Sequence, residues 1–159
     1  TMWSTSFMTM LPEKSDETAT ENMRARLQDF PSPFLNYKEK GYTVELIGKE
    51  DIEGTEAYKI KLTQKPSIID GIEVPNISFH YFDALKFVPI VSEAIALDGP
   101  MKGKKGSSTF NDYTEVDGLF FPFSISMQGQ ELLIKDIIVN PEVDNSIFAF
   151  PDTKVEDGK

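Results

Sequence analysis

The stretch YTVELIGKEDIEGTEAYKIKLT (residues 42–63) carries the clearest structural pattern in this chain. Apolar and polar side chains alternate on both sides of its centre, and a period of two is typical of β-strands with one solvated face. The polar segment Glu53-Gly54-Thr55-Glu56 separates the two alternating runs and predicts a tight turn. The stretch is therefore expected to form a β-hairpin, and a chain that continues in this way belongs to a sheet protein.

The same period of two continues towards the carboxyl terminus. Asp117-Gly118 lies between two such runs and is a strong hairpin signal. The predicted strands after the first hairpin are ISFHYF (77–82), KFVPIVSEAIAL (86–97), STFNDYTEV (108–116), LFFPFSISM (119–127) and ELLIKDIIV (131–139). The sequence thus predicts about seven or eight antiparallel strands.

Several segments are expected to interrupt this pattern. Residues 64–76 are predicted as a loop with a short strand piece at 72–74, and Pro89 predicts either an edge strand or a bulge. The lysine-glycine run 101–108 is predicted as a hairpin tip or a flexible connection. Near the end of the chain, a short turn is expected to place Phe148 and Phe150 in the core.

Upstream of the hairpin the pattern is different. Residues 2–11 alternate loosely and predict a strand that Pro12 ends, whereas residues 15–30 carry apolar side chains at helical spacing. One helical stretch followed by many strands predicts an α+β fold. We expect a single domain over residues 1–151 and a flexible tail over 152–159.

Composition excludes several classes of function. The chain has 159 residues, with 16 Lys and Arg against 26 Asp and Glu, a net charge of -10. An acidic protein without a basic stripe is a poor nucleic-acid binder. The chain contains no cysteine, which excludes disulfides, thiolate metal sites and cysteine nucleophiles. Because no run of 18 apolar residues occurs, the sequence is not expected to span a membrane.

The sequence offers little for catalysis. His80 is the single histidine, and we expect it on the wetter face of its strand, so neither a nucleophilic triad nor a zinc site is predicted. The acidic residues near Glu53 lie in a turn, where carboxylates are normally solvated. We therefore expect no enzyme activity, no metal and no cofactor. Lys102, Lys104 and Lys105 are expected to form a solvated loop tip, the alternative being contact with a lipid headgroup or acidic partner.

The apolar strand positions are the remaining candidates for function. We expect them to line one concave side of a curved sheet. Two interpretations stay open: they form a closed core under the helix, or one helix leaves part of the sheet uncovered as a cavity for an acyl chain or apolar peptide. The candidate ligand-binding residues are Val44, Leu46, Ile60, Leu62, Phe79, Tyr81, Phe121, Phe123 and Ile125.

About three quarters of the chain resembles a known group of bacterial envelope proteins. The matching segments are 36–63, 81–84, 110–125 and 137–151, and within them Tyr113-x-x-Val116-Asp117-Gly118-x-x-x-Pro122 is followed by Asn140-Pro141 and Phe148-x-x-Pro151. In this combination the chain resembles the outer-membrane lipoprotein-sorting-like proteins common in Bacteroidetes, which belong to the superfamily of the carrier LolA and the regulator RseB.

The resemblance implies an antiparallel sheet curved into an incomplete barrel, with one or two covering helices. It also implies a non-enzymatic periplasmic protein that holds a hydrophobic ligand, such as a lipid or lipoprotein acyl chain. The alternative that it implies is a sensory domain that binds an envelope protein partner through the same sheet.

The resemblance also leads us to expect that this chain lacks the start of the fold. The position that resembles Trp3 lies well inside the related proteins, after a helix and further strands. An incomplete sheet would expose an edge and part of its apolar face, conditions that favour a homodimer.

Overall fold

The computed structural model describes residues 2–6, 9–15, 17, 20, 24, 27–69, 71–97, 101–127 and 129–151. The chain divides into two compact units, one made of residues 1–35 with 141–159 and the other of residues 36–140. The predicted tail 152–159 lies outside the described residues, and the expectation of one domain over 1–151 stays a prediction.

The larger unit contains a seven-stranded antiparallel sheet in which the strands follow one another in chain order. Within the described residues the sheet is open, because its first and last strands pair on one side only. The predominantly antiparallel architecture agrees with the sequence prediction. The strands of this unit are β3 (Thr43–Ile52), β4 (Thr55–Ile69), β5 (Ile72–Asp83), β6 (Pro89–Ile95), β7 (Lys105–Val116), β8 (Leu119–Met127) and β9 (Gln130–Leu133).

Two of the predicted hairpin turns have the backbone geometry that their residues favour. Glu53 and Gly54 have φ values of 51° and 87°, and Asp117 and Gly118 have 50° and 79°. Positive φ at both central residues matches the right-handed twist of the flanking strands. The local sequence therefore predicted both turns correctly.

The expected loop over residues 64–76 is wrong, except for the strand piece predicted at 72–74, which is the start of β5. Strand β4 continues to Ile69 and strand β5 begins at Ile72, so only a short turn separates them. The ladder has an irregularity between Gln64 and Ser67, and Pro66 and Pro75 lie within it. A bulge accepts proline because the ladder hydrogen bonds are already interrupted there.

Pro89 is the first residue of β6, a strand that pairs with neighbours on both sides. The register shifts where Phe82 lies opposite Pro89, so the bulge alternative is correct and the edge alternative is wrong. The final strand is shorter than predicted, since β9 covers Gln130–Leu133 rather than 131–139.

The larger unit has few fully buried side chains. Among the described residues, the buried apolar side chains are Ala57, Leu62 and Tyr81, exposed by 0%, 0% and 4%. They belong to β4 and β5, the second and third of the seven strands of the sheet. The core of this unit is therefore concentrated on that pair.

The smaller unit contains a short hairpin of β1 (Trp3–Thr5) and β2 (Pro12–Lys14). The sequence predicted one strand ending at Pro12; instead Pro12 begins the second strand, an edge position that needs no ladder donor. Residues 17, 20, 24 and 27 have helical backbone, and most of the predicted helix over 15–30 lies outside the described residues. The covering helices thus remain an expectation.

The end of the smaller unit differs from the prediction. Residues Asn145–Phe148 form a 3₁₀ turn capped by the Asp144 side chain. The Phe148 side chain is 67% exposed and that of Phe150 is 38% exposed, so they do not fill a core. Trp3 instead packs edge-on against Phe150 and donates its Nε1 hydrogen to the Phe148 carbonyl.

Candidate ligand-binding groove

The pairing of β4 with β5 determines which side chains share a face of the sheet. Lys61 lies opposite Phe79 and Lys59 lies opposite Tyr81, whereas Ile60 lies opposite His80. Directly opposed residues of an antiparallel pair project to the same side. Phe79 and Tyr81 therefore share a face with two lysines and not with the apolar residues of β4.

The nine predicted ligand-binding residues consequently do not lie on one side of the sheet. Phe79 and Tyr81 lie on what we call the groove face, which also carries Lys59, Lys61 and Glu93. The other seven lie on the opposite face, as the ladders from β3 to β8 show. These are Val44, Leu46, Ile60, Leu62, Phe121, Phe123 and Ile125.

The position of His80 differs from the one predicted from the sequence. It lies on the opposite face between Ile60 of β4 and Ser92 of β6, rather than on the wetter side. Its Nε2 atom is 2.8 Å from the Ser78 hydroxyl, and burial lowers the pKa of His80 to about 4. The imidazole is therefore neutral at physiological pH and belongs to the packing of that face.

The groove face contains an open groove of about 900 Å³. Its walls come from β3, β4, β5, β6 and β7, so it crosses most of the sheet. A volume of this size is within the range of small-molecule sites. The larger apolar side chains that line it are Ile52, Ile77, Phe79, Tyr81, Val91 and Ile95.

Ion pairs border the apolar floor on the β3 side. The Lys59 Nζ atom lies 2.8 Å from Glu50 Oε1, and Lys61 Nζ lies 3.3 Å from Glu45 Oε1. The Lys59 ammonium also lies 5.3 Å and 5.4 Å from the ring centroids of Phe79 and Tyr81. The hydrogen bond to Glu50 raises the pKa of Lys59 above its usual value, so this residue stays charged.

On the β7 side the groove carries a second charged group. The Tyr81 hydroxyl donates to Glu93 Oε2 at 3.1 Å, and Lys105 Nζ lies 2.8 Å from the other carboxylate oxygen. The Glu93 side chain is only 19% exposed. The hydrogen bond to Glu93 raises the pKa of Lys105. Glu93 therefore holds the Lys105 ammonium beside an apolar surface.

The groove combines apolar contact area with fixed charges at its margins. Small-molecule sites typically combine apolar lining with a few polar groups in this way. Within the part of the chain that the structure describes, no group of three or more His, Asp or Glu side chains is placed to hold a metal ion. In the same part, no helix has the length and apolar character needed to cross a bilayer.

Several groove residues were not among those predicted from the sequence. Lys59 and Lys61 were assigned to the wet face of their hairpin, and Glu93 and Lys105 were not considered as a pair. One signal was available: β4 carries lysines at alternate positions next to a strand rich in acidic residues, and in the ladder Glu45 lies opposite Lys61 while Glu50 reaches Lys59 from the position opposite Ala57. The proximity of Glu93 to Lys105 depends on strand pairing, which the sequence does not state.

Comparison with known proteins identified one similar solved structure. No protein-family profile and no curated protein matches the chain. The similar structure is that of a LolA superfamily protein from Nitrosomonas europaea, with 17% sequence identity and a TM-score of 0.41. The match covers 68% of this chain and 49% of that one. The chain thus spans about half the length of this structure.

Proposed function

We propose that this chain is a non-enzymatic binding protein and that its groove takes a lipid-like, amphiphilic molecule. The observation that carries the proposal is the open groove of about 900 Å³ with an apolar floor. Following the sequence resemblance, we further propose that the protein works in the periplasm and that an acyl chain, from a lipid or lipoprotein, is the apolar part of its ligand.

The apolar floor supplies the binding energy in this proposal. Phe79, Tyr81 and Val91 lie side by side across β5 and β6. Burial of an acyl chain against them removes methylene groups from water, each contributing about 0.8 kcal/mol. A chain of ordinary lipid length would therefore bind after the cost of its ordering is met.

The charged residues favour an amphiphile over a wholly apolar ligand. Lys59 and Glu93 lie within the groove, each already paired with an opposite charge. Complete burial of such pairs under an apolar molecule costs free energy, because the ions lose their hydration. A ligand with a polar end leaves part of the groove hydrated and avoids that cost.

The proposal is tested by placing a charge on each face in turn. Phe79→Asp puts a carboxylate on the groove floor, and Leu46→Asp puts one on the opposite face, where Leu46 is 65% exposed. Binding of a fluorescent acyl probe, dansyl-aminoundecanoate, is measured by titration. We expect Phe79→Asp to weaken binding about tenfold or more, the equivalent of losing one buried aromatic contact.

Leu46→Asp is expected to bind the probe as the unsubstituted chain does. Circular dichroism establishes that both variants are folded, and Val91→Asp replaces Phe79→Asp if the latter does not fold. Loss of binding in Leu46→Asp alone would move the site to the opposite face. Equal binding by all folded variants would reject a site on either face.

A protein partner is the second candidate function. Exposed apolar side chains on the opposite face favour it, since Leu46, Met127 and Leu132 are 65%, 52% and 56% exposed. Met127 and Leu132 lie on the neighbouring strands β8 and β9, and exposed apolar side chains that lie together mark interaction sites. Co-purification of a specific protein that Leu46→Asp abolishes and Phe79→Asp does not would support this function. The expected homodimer is a special case and stays a prediction.

A further inference from the structure

We infer that the groove selects anionic amphiphiles and that their headgroup binds at the lysine hairpin, defined as residues 101–105 between β6 and β7. This inference rests on the proposed function and adds the chemical class of the ligand. It follows from where the strand order places charges at the two ends of the groove.

Successive hairpins of an antiparallel sheet alternate between its two ends. The turns at 52–55, 83–89 and 116–119 therefore lie at one end, which we call the acidic end. The lysine hairpin lies at the other end, together with the turns after β4 and β8. Acidic residues at the first end include Asp51, Glu53, Glu56, Asp83, Glu115 and Asp117.

The groove runs obliquely between these ends. Glu50 and Glu53 line it near the tip of β3, and Lys105 lines it where β7 begins. Between them lie the aromatic residues Phe79 and Tyr81. One mouth of the groove is therefore acidic and the other is basic, although the whole chain has a net charge of -10.

The backbone of the lysine hairpin is held to the end of β6. The Ala96 N–H donates to the Lys104 carbonyl at 2.9 Å, and the Gly103 N–H donates to the Ala96 carbonyl at 2.7 Å. Lys105 pairs in register with Ile95, which also lines the groove. Lys102 and Lys104 are exposed residues of the same hairpin. The backbone that carries Lys102 and Lys104 is thus held at the end of β6, next to Lys105, which lines the groove.

Lys105 can bind an anion without losing its partner. An ammonium group has three donors, and the side chain is 60% exposed while it contacts Glu93. A carboxylate or phosphate at this mouth gains charge-assisted hydrogen bonds, which are stronger than neutral ones. At the acidic mouth the same headgroup would be repelled. The ligand is therefore oriented with its headgroup at the lysine hairpin and its tail over Tyr81 and Phe79.

The test compares three amphiphiles with the same tail and different headgroups. Dodecanoate, dodecanol and dodecyltrimethylammonium, each below its micelle concentration, displace the fluorescent acyl probe from the 159-residue chain. The hairpin variant Lys102→Gln/Lys104→Gln keeps the pair between Lys105 and Glu93. The control variant Lys38→Gln/Lys86→Gln removes the same charge from residues outside the groove lining.

We expect the hairpin variant to bind dodecanoate about fivefold more weakly, since each partly exposed ion contact contributes modestly. Its affinity for dodecanol should be unchanged. The control variant should bind all three amphiphiles within about twofold of the unsubstituted chain, because solvent screens distant charges. The dodecanoate affinity of the unsubstituted chain should also fall as salt concentration rises.

Other results would overturn the inference in distinguishable ways. Unchanged dodecanoate binding in the hairpin variant, or an equal loss in the control variant, rejects the headgroup site and leaves the proposed function intact. Failure of all three amphiphiles to displace the probe rejects the proposed function as well. If the hairpin variant keeps dodecanoate but no longer sediments with phosphatidylglycerol vesicles, the lysines bind a membrane surface instead.

Discussion

His80 illustrates how a single residue links packing to pH. Its imidazole lies on the opposite face between Ile60 and Ser92, and its Nε2 atom contacts the Ser78 hydroxyl at 2.8 Å. Burial disfavours the charged form and lowers the pKa of His80 from 6.5 to about 4. Between pH 6.5 and about 4, His80 is therefore neutral in the folded chain and protonated in the unfolded chain.

This difference predicts a pH dependence of stability. Between pH 6.5 and about 4 the unfolded state binds a proton that the folded state does not. The free energy of unfolding should therefore decrease as the pH falls through this window, and the contribution of His80 should level off below it. Urea denaturation at pH 7.5, 5.5 and 4.5 measures the effect.

The matched variant for this prediction is His80→Gln, which keeps hydrogen-bonding capacity and removes the titration. Its free energy of unfolding should fall less between pH 7.5 and 4.5 than that of the unsubstituted chain. Carboxylates that titrate near pH 4 contribute equally to both proteins and cancel in the comparison. An identical decrease in the two proteins would contradict the assignment of the pH dependence to His80.

At the scale of the strand, a bulge in β3 places two acidic side chains at the edge of the groove. Glu45 and Glu50 are separated by five positions, which in a regular strand places their side chains on different faces. The register of β3 shifts between Leu46 and Gly48, so that Glu45 lies opposite Lys61 and Glu50 lies opposite Ala57 on the same face, where Glu50 Oε1 is 2.8 Å from the Lys59 ammonium. One extra residue therefore brings both acids to the groove face.

The hairpin turns give a prediction at the same scale. Gly54 has a φ of 87°, a conformation that costs an L-residue about 1–2 kcal/mol. Gly106 lies in β7 without a positive φ, and a Cβ there would meet the Ala94 carbonyl at an ordinary 3.8 Å. We expect Gly54→Ala to lower the free energy of unfolding by about 1 kcal/mol or more.

Gly106→Ala is the control and should be neutral or stabilising by up to about 1 kcal/mol, because alanine restricts the unfolded chain. Chemical denaturation of both variants gives the two values. The turn assignment would be contradicted if Gly54→Ala were as stable as Gly106→Ala.

At the scale of the whole molecule, few described side chains are fully buried. A bound ligand is therefore expected to raise the free energy of unfolding noticeably. Among the described residues, Leu62 is the only large side chain that is fully buried, whereas the groove presents apolar surface to solvent. A ligand that binds only the folded chain stabilises it by about 2.7 kcal/mol at a hundred times its Kd. Saturation with dodecanoate should therefore raise the Tm by roughly 5–10 °C.

Differential scanning fluorimetry of protein purified without detergent measures this shift. Phe79→Asp serves as the control and should show a much smaller increase at the same dodecanoate concentration. A similar increase in both proteins would mean that dodecanoate acts elsewhere on the chain, and no increase in either would count against binding in the groove.

Much of the local structure could be read from the residues. Asp117-Gly118 and Glu53-Gly54 form the expected turns, and the alternation in 42–63 forms the expected hairpin. The loop predicted over residues 64–76 is mostly a strand pair that contains Pro66 and Pro75. A bulge tolerates both, and bulges depend on the partner strand as much as on the residues themselves.

The candidate site was predicted less well than the fold. Phe79 and Tyr81 were correctly identified as apolar positions of one strand face, but they were grouped with Ile60 and Leu62, which lie on the other side of the sheet. Their true neighbours include Lys59 and Glu93. The charged part of the groove could therefore not be predicted without the strand pairing.

The amino-acid sequence was enough to predict the strands and their main turns, because alternation and turn conformation depend on neighbouring residues. It also gives the net charge of -10, which follows from composition. Which side chains of neighbouring strands share a face of the sheet depends on the register of strand pairing, which is known from the tertiary structure. A slip of one residue moves every side chain to the other side of the sheet, and the bulges in β3 and between β4 and β5 set that register. The groove, its ion pairs and its basic mouth all follow from that choice.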